Sequence, residues 1–384
     1  MKENFFYPLP LERLHKRYDL IFKSIRESHS VRLIGLPSSG RSSYLKFILE
    51  NPDVTLEFTK GEKYTFLIIE PQDVVDSLTK TLVMKLISLG VIKSDTLIRN
   101  AIQVNDTAIL KETILNGLAN ISGPKIVFVI YGPEEILIKD TNGAQLLARI
   151  IDIGYSPPNN PFVLLAITSP VFEEMLDNAT AGPLRIFFEE RRVYFPLFDE
   201  FEMGYLRRRL EKQLDIKIPI ELDKEVRSIA DGHTLLYRTL INQKTDQGVF
   251  DFDKIGFLTK SIWNSLGIHS QRSVLKKKYQ KDPLLSKLNL LNSDNTLKIQ
   301  FHKLVSDIKD PSPQDLMLKN FFMSNTDVLI ARDSVASQMW GENWRTRYSD
   351  WALDQAIYSV KKVLPSNCTL KTIRKRGYIV QTAN

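Results

Sequence analysis

The sequence predicts an α/β protein: a parallel-sheet core built around a phosphate-binding loop, a helical lid, and one or two winged-helix units behind them. Three observations carry that reading. Near-continuous apolar runs stand at Tyr64–Ile69, Lys125–Ile130 and Phe162–Ile167, which is how strands buried on both faces of a parallel sheet read. Helical periodicity fills the gaps between them, the pattern of strands joined by crossover helices. Finally, Val31–Ile34 runs into a turn bounded by Gly35 and Gly40, and helical apolar residues resume at Tyr44 and Leu45.

That turn, Gly35-Leu36-Pro37-Ser38-Ser39-Gly40-Arg41-Ser42-Ser43, has the strand, glycine turn and helix order of a phosphate loop. Glycines let backbone N–H groups turn inward, and the unpaired N–H groups of the helix's first turn add partial positive charge. Gly35, Ser38, Ser39, Gly40, Arg41, Ser42 and Ser43 are therefore the candidate ligands for ATP or ADP with Mg²⁺, if the loop holds a nucleotide at all. Ser42 occupies the hydroxyl position that would hold Mg²⁺. Arg41 stands where the motif has lysine, and a planar fork does not place a compact charge between two phosphates as an ammonium does. The loop matches in shape and departs in chemistry.

After the loop, Leu78, Leu82, Leu86 and Leu89 recur at helical spacing until Gly90, and Asp106 caps a second helix carrying Leu110, Ile114, Leu118 and Ile121. The strand Lys125–Ile130 ends in Tyr131-Gly132-Pro133, Phe162–Ile167 ends in Thr168-Ser169, and a last short strand covers Val193–Phe195. From Phe201 the pattern turns helical, with Leu206, Leu210 and Leu214 on one stripe. This sets a lid over 199–245 on a core of 1–198. Residues 246–312 read as a helical region, in which Leu284 to Ile308, helix, then a polar turn at Asn292–Asn295, then Leu297–Phe301, is a candidate first winged helix. Pro311-Ser312-Pro313 is the linker to a last unit, 313–384.

A chain of 384 residues has room for several cores, and 43% hydrophobic with 25% charged residues is ordinary for a globular protein. One cysteine, Cys368, excludes an internal disulfide framework and a cysteine-built zinc site. No run reaches about eighteen consecutive apolar residues and the N-terminus lacks a signal-peptide core, so the expectation is a cytoplasmic protein without a membrane partner. The formal charge of +7 is compatible with nucleic acid and does not by itself establish it.

In the last unit, Asp350–Leu364 is a helix whose Leu353, Ile357, Val360 and Leu364 form a core stripe. Gln355, Tyr358, Ser359, Lys361 and Lys362 are left for an outer face that fits a major groove. Arg374-Lys375-Arg376-Gly377 puts three cations on a tight turn, which suits a minor groove where negative potential concentrates. The expected partner is double-stranded DNA. Cys368 opens the preceding strand as a small core residue.

The same residues carry a resemblance. Arg332-Asp333-Ser334-Val335-Ala336-Ser337-Gln338-Met339-Trp340-Gly341, Leu353-Asp354 through Leu364, and Thr372-Ile373-Arg374-Lys375-Arg376-Gly377-Tyr378 resemble the winged-helix effector domain of OmpR/PhoB-class response regulators. The resemblance implies a recognition helix, a wing, and a loop at Glu342–Ser349 for contact with polymerase or a neighbouring copy. Departures at Trp351, Gln355 and Ser359 leave the DNA sequence preference open.

The loop, the strand order, Thr168-Ser169 and Asp231-Gly232-His233 make the first part resemble the AAA+/STAND branch of P-loop ATPases, including origin-recognition-like members that carry C-terminal winged helices. The resemblance implies nucleotide binding, self-association or docking on a partner ATPase, and trans-acting or sensor arginines at Arg185, Arg191 and Arg192. It also implies an acidic pair after Lys125–Ile130. The chain has Tyr131-Gly132 there, and Glu134 and Glu135 follow beyond a Gly-Pro turn as displaced acidic candidates for catalysis. His233 reads as a packing residue of the lid.

Phosphoryl transfer needs the clamp, the metal and a positioned water together. The expectation is therefore a degenerate core that has kept its architecture and lost hydrolysis, controlling assembly or presentation of a DNA-binding winged helix in transcription. Three alternatives stay open: an ATPase-like adaptor with no DNA function, an ATP-dependent initiator of replication or of a mobile element, and a true ATPase switch using Arg41 with Glu134 or Glu135.

Overall fold

A computed structural model describes residues 8–74, 76–119, 125–140, 142–154, 162–176, 182–185, 191–275, 279–301, 313–341, 350–361, 364–365, 368–373 and 376–382. The chain divides into two compact units, Met1–Ser306 and Asp307–Asn384.

In the first unit, β1 (Val31–Ile34), β2 (Tyr64–Ile69), β3 (Lys125–Tyr131), β4 (Phe162–Thr168) and β5 (Arg192–Tyr194) form one sheet in the order β2-β3-β4-β1-β5. Every pairing is parallel, from Val31 beside Leu165 to Ile34 beside Thr168 at the centre. The chain therefore leaves β1 toward one edge and β4 toward the other, opening a crevice at the carboxyl ends of these two neighbours. That is where open α/β sheets bind ligands. Burial follows position: every residue of β1 and β4 is buried, whereas the edge strand β2 is fully buried only at Leu67 and Ile69.

Helices α1 (Leu11–Arg26), α2 (Arg41–Glu50), α3 (Pro52–Phe58), α4 (Leu78–Ser88), α5 (Thr96–Val104), α6 (Thr107–Ala119), α7 (Pro133–Lys139), α8 (Gly143–Gly154) and α9 (Phe172–Leu176) surround the sheet. Leu78, Leu82 and Leu86 of α4 are wholly buried, and Leu89, just past its end, is half-exposed. Asp106 caps α6 as its sequence position requires, its Oδ1 accepting from the N–H groups of Ala108 and Ile109. Leu110, Ile114 and Leu118 point into the core, and Ile121 lies outside the described residues.

The lid is α10 (Glu200–Leu214), α11 (Ile220–Ala230) and α12 (Thr234–Gln247). Asp199 and Glu202 form a capping box at the start of α10, and Glu202 is also bound from the core side. Arg17 of α1 donates to both of its carboxylate oxygens, at 2.8 and 2.5 Å, and to the Pro196 carbonyl at 2.8 Å. The guanidinium lies over the rings of Phe195 and Phe198. One residue along, the Tyr18 hydroxyl donates to the Arg41 carbonyl at 2.6 Å. Helix α1 thus joins the first lid helix to the helix that follows the glycine turn.

Between α11 and α12, Gly232 has φ +75°, and a Cβ there would lie 2.8 Å from the Phe198 carbonyl oxygen. That approach exists because the Phe198 N–H donates to the Gly232 carbonyl. Only glycine fits both demands.

Helices α13 (Phe252–Ser265), α14 (Gly267–Leu275) and α15 (Pro283–Lys287) complete the first unit. The polar turn at Asn292–Asn295 does form, closed by a bridge between Leu291 and Leu297. The next residues pair with the lid instead of with a wing of their own: Ile299 bridges Ala230, and the Asp231 N–H donates to the Lys298 carbonyl. Among the described residues, the segment expected to hold a first winged helix has isolated bridges and belongs to the core-and-lid unit.

The second unit has α16 (Pro313–Met323), α17 (Arg332–Trp340), α18 (Asp350–Lys361) and an antiparallel hairpin of β6 (Cys368–Ile373) and β7 (Gly377–Thr382). Ile330 bridges Tyr378 on the other side of β7. Leu318, Phe322, Val335, Leu353, Ile357, Val360, Leu370, Tyr378 and Val380 form its core. A Cβ on Gly377 would lie 1.9 Å from the Ile330 carbonyl oxygen, so this position also admits glycine alone.

Candidate functional site

The glycine turn sits at the mouth of the β1–β4 crevice, and its conformation is set from within. Ser38 has φ +57° and Gly40 φ +98°, and Gly40 precedes the first residue of α2. Four consecutive carbonyls of the turn each accept a side-chain donor. The Gly35 carbonyl takes Arg41 Nη1 at 2.5 Å, and that of Leu36 takes Ser39 Oγ at 2.8 Å. Pro37 takes His233 Nε2 at 2.9 Å, and Ser38 takes Thr234 Oγ1 at 3.1 Å. The Gly35 and Ser39 N–H groups donate to the Thr168 and Leu36 carbonyls, so the N–H groups of Leu36, Ser38 and Gly40 and of the first turn of α2 are the donors left to form an anion nest.

His233 is more than the packing residue its sequence position suggested. Its Nδ1 accepts the Leu236 N–H at 3.2 Å, capping α12. A nitrogen that accepts carries no proton, so Nε2 holds the hydrogen and donates it to Pro37. Burial pulls the imidazole's pKa down to about 4, with the hydrogen bonds to backbone opposing that shift, so the ring is neutral near pH 7.

Arg41 is turned inward. It is 7% exposed, and the nitrogen that donates to Gly35 also donates to the Thr168 carbonyl at the end of β4. Burial lowers its pKa to about 10, with the charges of Glu134 and Tyr18 opposing that fall. It therefore keeps its charge at neutral pH and uses it on main-chain oxygens that tie β1 to β4.

At the end of β3 the chemistry has moved. Tyr131 is buried with its hydroxyl unpartnered, and desolvation, with the charges of Glu70 and Glu50 adding, raises its pKa. A neutral phenol does not replace a metal-binding carboxylate. Gly132, at φ +55°, turns the chain into α7, and Glu134 in that helix's first turn folds back to the crevice. Its Oε1 accepts the Ser169 N–H at 2.9 Å, while Oε2 is buried without a partner. Glu135 is exposed. Of the two displaced acids, Glu134 is the one brought to the loop. The glycine turn fits a phosphate; the end of β3 does not supply the carboxylate pair of a metal-dependent hydrolase.

Of the remaining loop residues, Ser39 is buried, Ser42 half-buried, and Ser38 and Ser43 exposed. Arg185 is exposed. Arg191 lies 3.9 Å from Glu27, and Arg192 lies 3.3 Å from Glu173, which also pairs with the fully buried Arg32. In the second unit Lys361 and Arg376 are exposed, as are Thr369, Lys371 and Thr372 along β6. The Arg376 N–H donates to the Ile373 carbonyl, closing the hairpin. Cys368 is half-buried, its Sγ 3.9 Å from Met323 Sδ. The side chains of Gln355, Tyr358, Ser359 and Trp351, residues Lys362, Arg374 and Lys375, and the loop 342–349 lie outside the described residues. Among the described residues no helix is long and apolar enough to cross a membrane.

Sequence reasoning missed Thr234 and Arg17, and underrated His233. Gly-His-Thr at a helix start was the signal available, since a cap and a hydroxyl side by side at a lid hinge are placed to meet whatever the lid covers.

No family model and no curated protein matches the chain. Among solved structures it is similar to the Aeropyrum pernix ORC1 protein in complex with DNA, at 13% identity and TM-score 0.41, over 96% of this chain and 89% of that one. It is similar to the Walker-type ATPase PABY2304 of Pyrococcus abyssi at 11% identity and TM-score 0.39, over 96% and 93% of the two chains. A third is the Thermotoga maritima RuvB Holliday junction branch migration motor, at 13% identity and TM-score 0.34, over 97% and 92%. The parallel order of the sheet, the glycine turn between β1 and α2 and the three helices behind it give the chain a P-loop ATPase-like core with a helical lid.

Proposed function

We propose that this is an ATP-binding, DNA-associated protein of the AAA+/initiator-ATPase kind, whose core holds nucleotide without turning it over and whose C-terminal winged helix contacts duplex DNA. The observation that carries the reading is the glycine turn at the β1–β4 crevice, with its four carbonyls bound by the protein's own donors. The N–H groups of Leu36, Ser38 and Gly40 and the start of α2 are left for phosphates. Bound ATP supplies the charge this nest is shaped to receive. Gly35 and Gly40 set the turn, Ser42 and Ser43 add the first N–H groups of α2, and Ser42 offers its hydroxyl to Mg²⁺.

Loss of hydrolysis rests on two features. Arg41 donates to Gly35 and Thr168, and Tyr131 stands neutral where a metal-binding acid is needed. DNA contact rests on the second unit, where three helices and a hairpin present Lys361, Lys371 and Arg376 to solvent. We put an initiator of replication or of a mobile element ahead of a transcription regulator. Loop core, lid and terminal winged helix in one chain is the order of parts in the origin-recognition-like proteins it resembles, which act in assemblies.

The test is binding and turnover on one preparation. Fluorescent ATP and ADP analogues are expected to bind, duplex DNA is expected to bind with a salt-dependent affinity, and labelled ATP is expected to remain intact. Steady turnover abolished by Glu134→Gln would overturn the non-hydrolysing core, and DNA indifference would overturn the association.

A further inference from the structure

We propose that the lid is latched onto the glycine turn by the chain's own side chains, so that closure of lid on core does not wait for nucleotide. This goes beyond the binding reading and stands without it. The latch is two adjacent residues at the start of α12. His233 Nε2 donates to Pro37 and Thr234 Oγ1 donates to Ser38, each across 196 positions of sequence.

The acceptors of these bonds are main-chain carbonyls, which need donors, and the phosphates of a nucleotide only accept. Phosphates in the nest therefore neither make nor replace either bond. The donors are also fixed in advance. The His233 ring is wholly buried and is held by the Leu236 N–H on its other nitrogen. Gly232 immediately before it admits no side chain, because Phe198 lies against it.

The latch has a second anchor. Arg17 grips Glu202 of the first lid helix, both side chains being almost fully buried, while Tyr18 beside it holds the Arg41 carbonyl. Arg41 in turn binds Gly35, the first residue of the same turn. The lid is thus fastened to the loop at its third helix and, through α1, at its first. In such a core the nucleotide is a structural ligand of an already closed body. Exchange of ATP for ADP then moves the lid little.

Hydrogen exchange on the full chain tests this, read over Leu236–Leu240 of the lid. In nucleotide-free protein this segment is expected to be protected, and Mg·ATP or Mg·ADP is expected to change its protection by less than about twofold. Thr234→Val keeps the branched shape and removes the donor, and it is expected to speed exchange there by about fivefold, the loss of one hydrogen bond. His233→Leu is expected to do more, and Thr234→Val keeps the test decisive if that variant does not fold. A lid segment exchanging at solvent-exposed rates until nucleotide slows it about tenfold or more would overturn the latch, as would a Thr234→Val protein indistinguishable from the parent. A fluorescent ADP titration of the same samples reads the binding proposal separately, since its failure leaves the nucleotide-free exchange result standing.

Discussion

The glycine turn of the first unit and the hairpin of the second each turn on a glycine at positive φ, Gly40 and Gly377, yet they direct their polar groups oppositely. At the turn, Arg41, Ser39, His233 and Thr234 all point to main-chain carbonyls. At the hairpin, Lys371 of β6 and Arg376 of the turn stand in solvent, and the buried side of the two strands holds Leu370, Tyr378 and Val380. A motif whose side chains have become internal donors is a scaffold. One whose cations face outward leaves them in solvent, where the proposed DNA contact needs them.

The largest expected effect attacks the hairpin's frame. Gly377→Ala drives a methyl into the Ile330 carbonyl and is expected to cost the second unit about 5 kcal/mol, enough to unfold it. Proteolysis would then trim the C-terminal unit and leave the core-and-lid unit intact. Arg17→Met comes next, because it leaves Glu202 buried without its cation. A loss of about 4 kcal/mol is expected in the first unit, read by denaturant unfolding.

His233 gives a pH dependence with a definite sign. Its folded pKa of about 4 lies below the ordinary 6.5, so the unfolded chain takes up a proton first on acidification. The stability is complete above pH 6.5 and is lost as pH falls from 6.5 to 4, by about 3 kcal/mol for a shift of this size. Protonation of Nδ1 also removes the cap on Leu236. Thermal scans of the parent should fall across that window, and those of His233→Gln should lack this component.

Arg41→Met is expected to cost about 2 kcal/mol, since it strands the Gly35 and Thr168 carbonyls and removes the cation near Glu134. Calorimetry reads the difference. Lys361→Ala is the smallest, near zero in stability because the residue is exposed, and visible only as a shallower salt dependence of DNA binding by about one unit of slope.

The sheet was legible because its inner strands β1, β3 and β4 are buried on both faces, which demands near-continuous apolar sequence over runs too short for a helix. The α18 stripe was legible for the matching reason: Leu353, Ile357 and Val360 repeat at the helical period and are buried, and Leu364, read as the last residue of that helix, is buried beyond its end at Lys361. Helix α1 was not singled out, although Leu14, Tyr18, Ile21, Phe22 and Ile25 lie on its buried side. Its stripe is interrupted by Arg17, which reads as a surface residue until its partner 185 positions away is known.

The site was half legible. Spacing located the glycine turn, but the inward fork of Arg41 depends on Thr168, and the role of His233 depends on the lid folding back to Pro37. Glu134 was named only as one of two displaced acids. Both stand in the first turn of α7, and what separates them is that Glu134 accepts the Ser169 N–H while Glu135 is exposed. Such pairings are tertiary and leave no local trace.

The association with duplex rests finally on the anisotropy of a fluorescent DNA across a salt series, with the parent chain beside a Lys361→Ala/Lys371→Ala/Arg376→Ala variant. Tight binding at low salt is expected, with a steep logarithmic loss of affinity as salt rises and a slope in the variant shallower by about two to three. A parent that ignores duplex, or a variant that binds with the parent's slope, would contradict this and move the contact away from the second unit.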